Sequence, residues 1–183
     1  MAFADWFKTV PVLETPRLTL RPFCLEDIEA YLRMVRDPEV CRYLGGGLSD
    51  LPNERHVANW LRNINGWLLQ SKTVFTWCIE RKEDKSFVGR VDLGGFVRKA
   101  VADLAYYLVR ENWGRGYATE AVTSVTAFGL DSLGLCRIQA TVLPENAASL
   151  RVLEKSGYER EGLLRNYPFG KEIHDAVMLS IIR

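Results

Sequence analysis

Histidine is nearly missing: His56 and His174 are the only two in 183 residues. The four cysteines, Cys24, Cys41, Cys78 and Cys136, lie far apart and form no CxxC pair. That spacing speaks against a zinc site and against a disulfide framework, and the thiols read as reduced and partly buried. No apolar run approaches the roughly 20 residues of a membrane span. The start, MAFADWFKTVPVLETPR, lacks a basic stretch followed by a long apolar core, so no secretory signal is read and a cytoplasmic location is expected. Net charge is scarce as well, at +1, which argues against nucleic acid or an anionic membrane as partner. No repeat, linker or low-complexity segment breaks the chain, and its length suits a single domain spanning residues 1–183.

What is present reads as a soluble α/β chain. RLTLRPF (17–23) alternates apolar and polar residues, as a half-buried strand does. Leu25, Ile28, Leu32 and Val35 then share a helical face that Pro38 ends. LGGGLSDLPNE reads as a flexible loop. Residues 54–70 form an amphipathic helix with Val57, Trp60, Leu61, Ile64 and Leu68 as its apolar stripe. Three runs rich in β-branched and aromatic residues follow, 73–83, 86–98 and 101–111, separated by short polar breaks. They predict an antiparallel meander. A helix over 118–133, a strand over 136–144, a helix closed by Gly157 and strands near 160–167 and 173–182 complete the order.

The chemistry concentrates in ENWGRGYATEAV, residues 111–122. The first turn of a helix leaves N–H groups unpaired, and the helix dipole makes that end partly positive. Glycine lets main chain come close to a ligand and adopt positive φ. Gly114, Gly116 and the amides through Ala118 therefore suit a pyrophosphate, with Arg115 adding charge and Thr119 keeping the turn small. No Lys-Ser/Thr follows the last glycine, so this is not a Walker loop, and the glycine spacing is not that of a dinucleotide fingerprint. A second helix entrance, VLPENAASLRVLEKSG, places Asn146 and Ser149 three residues apart on one face. Asn146 also fits an N-cap.

With these stretches in order, the chain resembles the GCN5-related N-acetyltransferases, and within them the ribosomal-protein-alanine (RimJ/RimL-type) branch. The likeness runs from ETPRLTLRPF through YYLVRENWGRGYATEAV and ATVLPENAASLRVLEKSGYEREG to HDAVMLSI. It implies a mixed, mostly antiparallel sheet of about seven strands with helices on both faces, the fourth and fifth strands splayed. It implies acetyl-coenzyme A in that V, pantetheine along the main chain of about Tyr106 to Val109, and pyrophosphate on residues 114 to 118. The cofactor-binding set so implied is Tyr107, Leu108, Val109, Gly114, Arg115, Gly116, Tyr117, Ala118, Thr119, Asn146 and Ser149, with no metal. Three positions depart from the family pattern. Glu111 stands where Gln or Arg is usual, Leu153 where many relatives carry a tyrosine acid, and Pro168 where some carry an acidic base.

The implied reaction is direct attack of a neutral primary amine on the thioester. A strand N–H polarises the carbonyl, Ser149 donates or positions at the sulfur, and Asp103 takes the amine proton through water. Glu80, Asp92 and His174 are secondary candidates for the base, and Arg90 or Arg98 could attract an acidic acceptor. Trp60, Trp67 and Trp77 read as core, Trp113 as packing beneath the phosphate turn, and Asp175 as holding the last strands together. The acceptor is left open between a protein N-terminus and a small amine, and a homodimer is compatible with the branch. The alternatives are a coenzyme A-binding module without transfer chemistry, and a nucleotide-phosphate binder unrelated to transfer.

Overall fold

The structure, a computed structural model, describes residues 3–43, 54–66, 70–169 and 171–183. The glycine run at 45–47, Trp67 and Leu68 lie outside the described residues. Eight strands form one sheet: β1 (Leu13–Glu14), β2 (Leu18–Arg21), β3 (Val74–Arg81), β4 (Phe87–Val97), β5 (Val101–Leu108), β6 (Arg137–Val142), β7 (Glu159–Phe169) and β8 (Glu172–Ile182). Their spatial order is β1-β2-β3-β4-β5-β6-β8-β7. The expected sheet of about seven strands is present, with eight among the described residues. The extra one is a two-residue pairing against β2, too short to leave any alternation in the sequence.

Among the described residues the α-helices are α1 (Ile28–Arg36), α2 (Pro38–Cys41), α3 (Glu54–Asn65), α4 (Tyr117–Ala127) and α5 (Ala147–Lys155). One expected helix boundary changes, and another gains a second role. The first helix ends before Pro38 as expected, at Arg36, with Asp37 extended as the residue before a proline is. Pro38 also opens the next helix: Asp37 caps α2 by accepting from the Glu39 N–H, since proline suits the first turn, where its missing N–H has no partner to lose. The helix expected over 118–133 stops at Ala127 and widens into a π turn, Phe128–Ser132. A Cβ on Gly129 in that turn would meet Ile138 Cδ1 at 2.6 Å, so the turn packs directly on β6. The apolar spacing is continuous across both pieces, so periodicity alone does not separate them.

Each face of the sheet has its own core, because successive strand residues point to opposite sides. On one face Leu18, Leu20, Phe75, Trp77 and Ile79 pack with Ala121, Val122 and Val125 of α4. On the other, Cys78 packs with Tyr31 and Leu32 of α1 and Val57, Leu61 and Ile64 of α3. The Trp77 indole is fully buried and donates to the Pro11 carbonyl at 2.6 Å. β3 to β5 form the expected meander.

Among these strands only β5 and β6 pair in parallel, and only at Val101–Arg137, Ala102–Ile138 and Asp103–Gln139. Beyond Asp103 the two strands part, leaving Leu104 to Leu108 opposite Ala140 to Val142 without a ladder between them. The expected splay is present, and α4 lies in the connection between its two arms.

Candidate active site

The gap between β5 and β6 opens into a cleft of about 730 Å³, within the range of small-molecule sites. Its walls include Asp103 to Leu108, Gly114, Gly116 to Thr119, Ala140 to Leu143, Asn146 and Ser149. Of the residues expected to bind cofactor, Val109 and Arg115 stand outside this lining.

Register decides which main-chain groups face the gap. Val109 N–H donates to Val88 O at 3.0 Å. Bonded and non-bonded pairs alternate along an antiparallel ladder, so Asp103, Ala105, Tyr107 and Val109 turn their main-chain groups to β4. The groups left facing the gap belong to Leu104, Tyr106 and Leu108. The Leu108 carbonyl is already taken by the Trp113 indole N–H at 2.9 Å. Side chains alternate too: Tyr106 and Leu108 point to the α4 side, Tyr107 and Val109 to the α1 and α3 side.

At the end of β5 a single turn, Arg110–Asn112, leads into the glycines. Gly114 and Gly116 have φ of 72° and 79°, and α4 starts at Tyr117 with no side-chain cap. The first N–H groups of α4 thus lack side-chain partners at the mouth of the cleft, where they favour an anion. The turn is held from behind by a residue that sequence reasoning missed. Arg17 donates from Nη1 to the Arg115 carbonyl at 2.9 Å and from Nε to Glu120 at 2.7 Å, and its guanidinium lies 4.6 Å from the Tyr117 ring centre. Burial pushes the Glu120 carboxyl up, but the Thr15 hydroxyl and the N–H groups of Arg17 outweigh it and hold it below the usual range. Nothing local marks Arg17, since its partners lie about a hundred residues away.

Across the gap, Asn146 caps α5: its side-chain oxygen accepts from the Ser149 N–H at 3.1 Å. The Ser149 hydroxyl lies 2.8 Å from the Tyr106 hydroxyl, which is also 3.2 Å from the Ser149 carbonyl. Burial pushes the Tyr106 phenol up to about 12, against a smaller lowering by its bond to Ser149. Leu153 is buried in the core against the cleft wall and, as a leucine, has no hydroxyl to take the place of the family's tyrosine.

On the opposite face Asp103 is exposed and accepts from Gln139 Nε2 at 2.9 Å. The weaker base candidates are engaged. Glu80 pairs with Arg21 at 2.7 Å, Asp92 with Arg90 at 2.7 Å, and His174 with Glu172 at 2.7 Å. Arg90 also donates to the Tyr31 hydroxyl and sits 4.5 Å from the Trp60 ring centre, so Trp60 is packing. Arg98 is in a tight turn at φ 51°. Trp113 is 45% exposed, a lid on the turn rather than a base beneath it. Pro168 lines the cleft, and Asp175 accepts from the Asn166 N–H, joining the last two strands as expected. Among the described residues no cluster could hold a metal ion, and no helix is long and apolar enough to cross a membrane.

Comparison with known proteins agrees with this geometry. Residues 17–159 match the family described as Acetyltransferase (GNAT) domain. The chain is 33% identical over 175 residues to the uncharacterized N-acetyltransferase YoaA of Bacillus subtilis (strain 168), covering 94% of this chain and 97% of that one. An acetyltransferase (GNAT family) from Bacillus anthracis superposes with a TM-score of 0.82 at 26% identity, over 94% of this chain and 98% of that one. Mycobacterium smegmatis RimJ, solved with a coenzyme A disulfide, gives 0.82 at 25% identity, over 97% and 88%.

Proposed function

The chain belongs to the acetyltransferase (GNAT) domain family, and from that premise we propose that it acetylates a primary amine by direct attack within a ternary complex. It is an acetyltransferase, and its cofactor is acetyl-coenzyme A. The observation that carries the proposal is the continuity of one cleft from the glycine turn, past the unpaired edge of β5, to Ser149. The residues present fit the cofactor: Gly114 and Gly116 take φ of 72° and 79°, which side-chain-bearing residues rarely adopt, and a Cβ at Gly116 would also press to 3.3 Å on the Arg17 brace, so glycine keeps the turn in shape.

When bound, acetyl-coenzyme A supplies an acetyl group activated as a thioester. The amides from Gly114 to Ala118 hold its pyrophosphate. The outward N–H and C=O groups of Tyr106, and the Leu108 N–H, pair with pantetheine. An outward N–H of Leu104 or Tyr106 polarises the carbonyl, as a preorganised dipole. Arg151 and Lys155 of α5 line the cleft on the cofactor side and favour phosphate. Asn146 orients the cofactor through the amide nitrogen its capping role leaves over. Ser149 would hydrogen-bond the thioester sulfur, and Asp103 would take the amine's proton through water.

The acceptor enters from the other face, past Glu39, Tyr43, Tyr107, Tyr167 and Phe169. Acidic Glu39 and Asp103 at this end, with the lining cations on α5, suit a positively charged amine: a protein N-terminus or a small amine. The test is incubation with acetyl-coenzyme A and a panel of amines and N-terminal peptides, read by product mass. Acetylated product is expected, with Ser149→Ala lowering kcat and leaving coenzyme A affinity at pH 7 largely intact. Coenzyme A bound without any acetylated product would overturn transfer and leave a binding module.

A further inference from the structure

We propose that Tyr106 is a positioning residue for the departing sulfur: its hydroxyl donates to Ser149 Oγ and thereby directs the Ser149 proton into the cleft. The inference rests on the acetyltransferase reading of the same site. Its starting point is a geometric vacancy in function. The helix position where the family pattern supplies a phenol is Leu153, fully buried and turned into the core. A phenol nevertheless reaches the cleft, from the opposite arm. Tyr106 comes from β5 and Ser149 from α5, which follows β6, so their 2.8 Å contact bridges the two arms of the splay on the α4 side.

The contact leaves Ser149 one free direction. Its N–H is held by Asn146 at 3.1 Å, which fixes the first turn of α5. The Tyr106 oxygen lies nearer to Ser149 Oγ, at 2.8 Å, than to the Ser149 carbonyl, at 3.2 Å. With the Tyr106 proton on Oγ, the serine's own proton has to point elsewhere, and the open side is the cleft.

The role is hydrogen bonding rather than proton delivery. The Tyr106 phenol is pushed up to about 12 by burial, whereas an ordinary thiol titrates near ~8.5. A proton moved from Tyr106 through Ser149 to sulfur would run uphill. In the transfer the N–C bond forms and the C–S bond breaks with its electron pair staying on sulfur. The amine's proton leaves through Asp103 and water, and the sulfur is held by the Ser149 O–H until the product departs.

An equilibrium measurement tests this without turnover. Calorimetry would compare coenzyme A with desulfo-coenzyme A at pH 7 and pH 9.5, for the native protein, Tyr106→Phe and Ser149→Ala. In the native protein the preference for coenzyme A should grow roughly five- to tenfold with pH, as for one hydrogen bond to an ionised group. In both variants that growth should vanish, with desulfo-coenzyme A affinity unchanged within about twofold, and the double variant should match either single one. Equal growth in native protein and Tyr106→Phe overturns the inference. So does an equal loss of affinity for both ligands in Tyr106→Phe, which would make the tyrosine structural. Failure of the native protein to bind either ligand would instead overturn the acetyltransferase site itself.

Discussion

The Arg17 guanidinium donates to the main-chain oxygen of Arg115, 98 positions later in the chain, at 2.9 Å. The same side chain is bonded to Glu120 in the first turn of α4. One residue from the bend between β1 and β2 therefore braces both the glycine turn and the charge of the helix start. Arg17→Ala should weaken coenzyme A binding roughly tenfold, the scale of a hydrogen bond to a charged group. Arg17→Lys should recover only a minor part, because a point charge cannot serve two divergent acceptors. Calorimetric titration with coenzyme A checks both, and an unchanged affinity in Arg17→Ala would remove the brace.

Gly116→Val should abolish coenzyme A binding. A β-branched side chain at φ 79° is strained by about 1–2 kcal/mol, and its Cβ would lie 3.3 Å from Arg17 Nη2. Gly162→Ala, where an added Cβ meets nothing within 4 Å, is the matched control and should bind normally.

Asn146 caps α5 through its side-chain oxygen and lines the cleft, and the proposed cofactor role falls to its side-chain nitrogen. Asn146→Ala should lower stability by about 1 kcal/mol, the usual loss of an N-cap. Asn146→Asp keeps the cap and removes the amide nitrogen, so it should restore the melting temperature while leaving the KM for acetyl-coenzyme A raised. Full recovery of both would assign the residue to capping alone.

Asp27 ties the segment after β2 to the sheet through a two-point ion pair with Arg21, both bonds at 2.8 Å. Burial pushes its pKa up, but the Arg21 and Cys24 donors outweigh that and hold the carboxyl below its usual range. A folded pKa below the unfolded one means stability present above the ordinary carboxylate range and lost as pH falls through the lowered value. Urea unfolding between pH 6 and pH 3 should show that loss in the native protein. Asp27→Asn should be weaker at pH 6 by about 2 kcal/mol, less than for a lone buried pair because Arg21 keeps Glu80, and flatter with pH.

Much of this fold is legible in local patterns. The three-strand meander shows itself through β-branched and aromatic runs, and the glycine turn through its position before a helix. Ser149 and Asn146 stand out as a pair because a helix repeats its faces every three or four residues. What is not legible depends on register or on distance. Whether Tyr106 or Tyr107 presents its main chain to the gap turns on one residue of strand pairing with β4, which composition does not encode. Arg17 and Glu120 meet only because α4 crosses back over β2. Pro38 is read as a stop because proline ends helices, yet the same rigidity lets it begin one.

The three-rung parallel pairing between β5 and β6 carries one more consequence. A sheet that parts company with itself forgoes several main-chain bonds at its centre, where most folds would keep them. Any extended molecule threaded into that breach makes good the missing rungs and behaves, in thermodynamic effect, as a ninth strand. The uncomplexed protein is on this view an unfinished architecture, and its melting temperature should climb with cofactor concentration as a mortised joint tightens when its tenon is driven home.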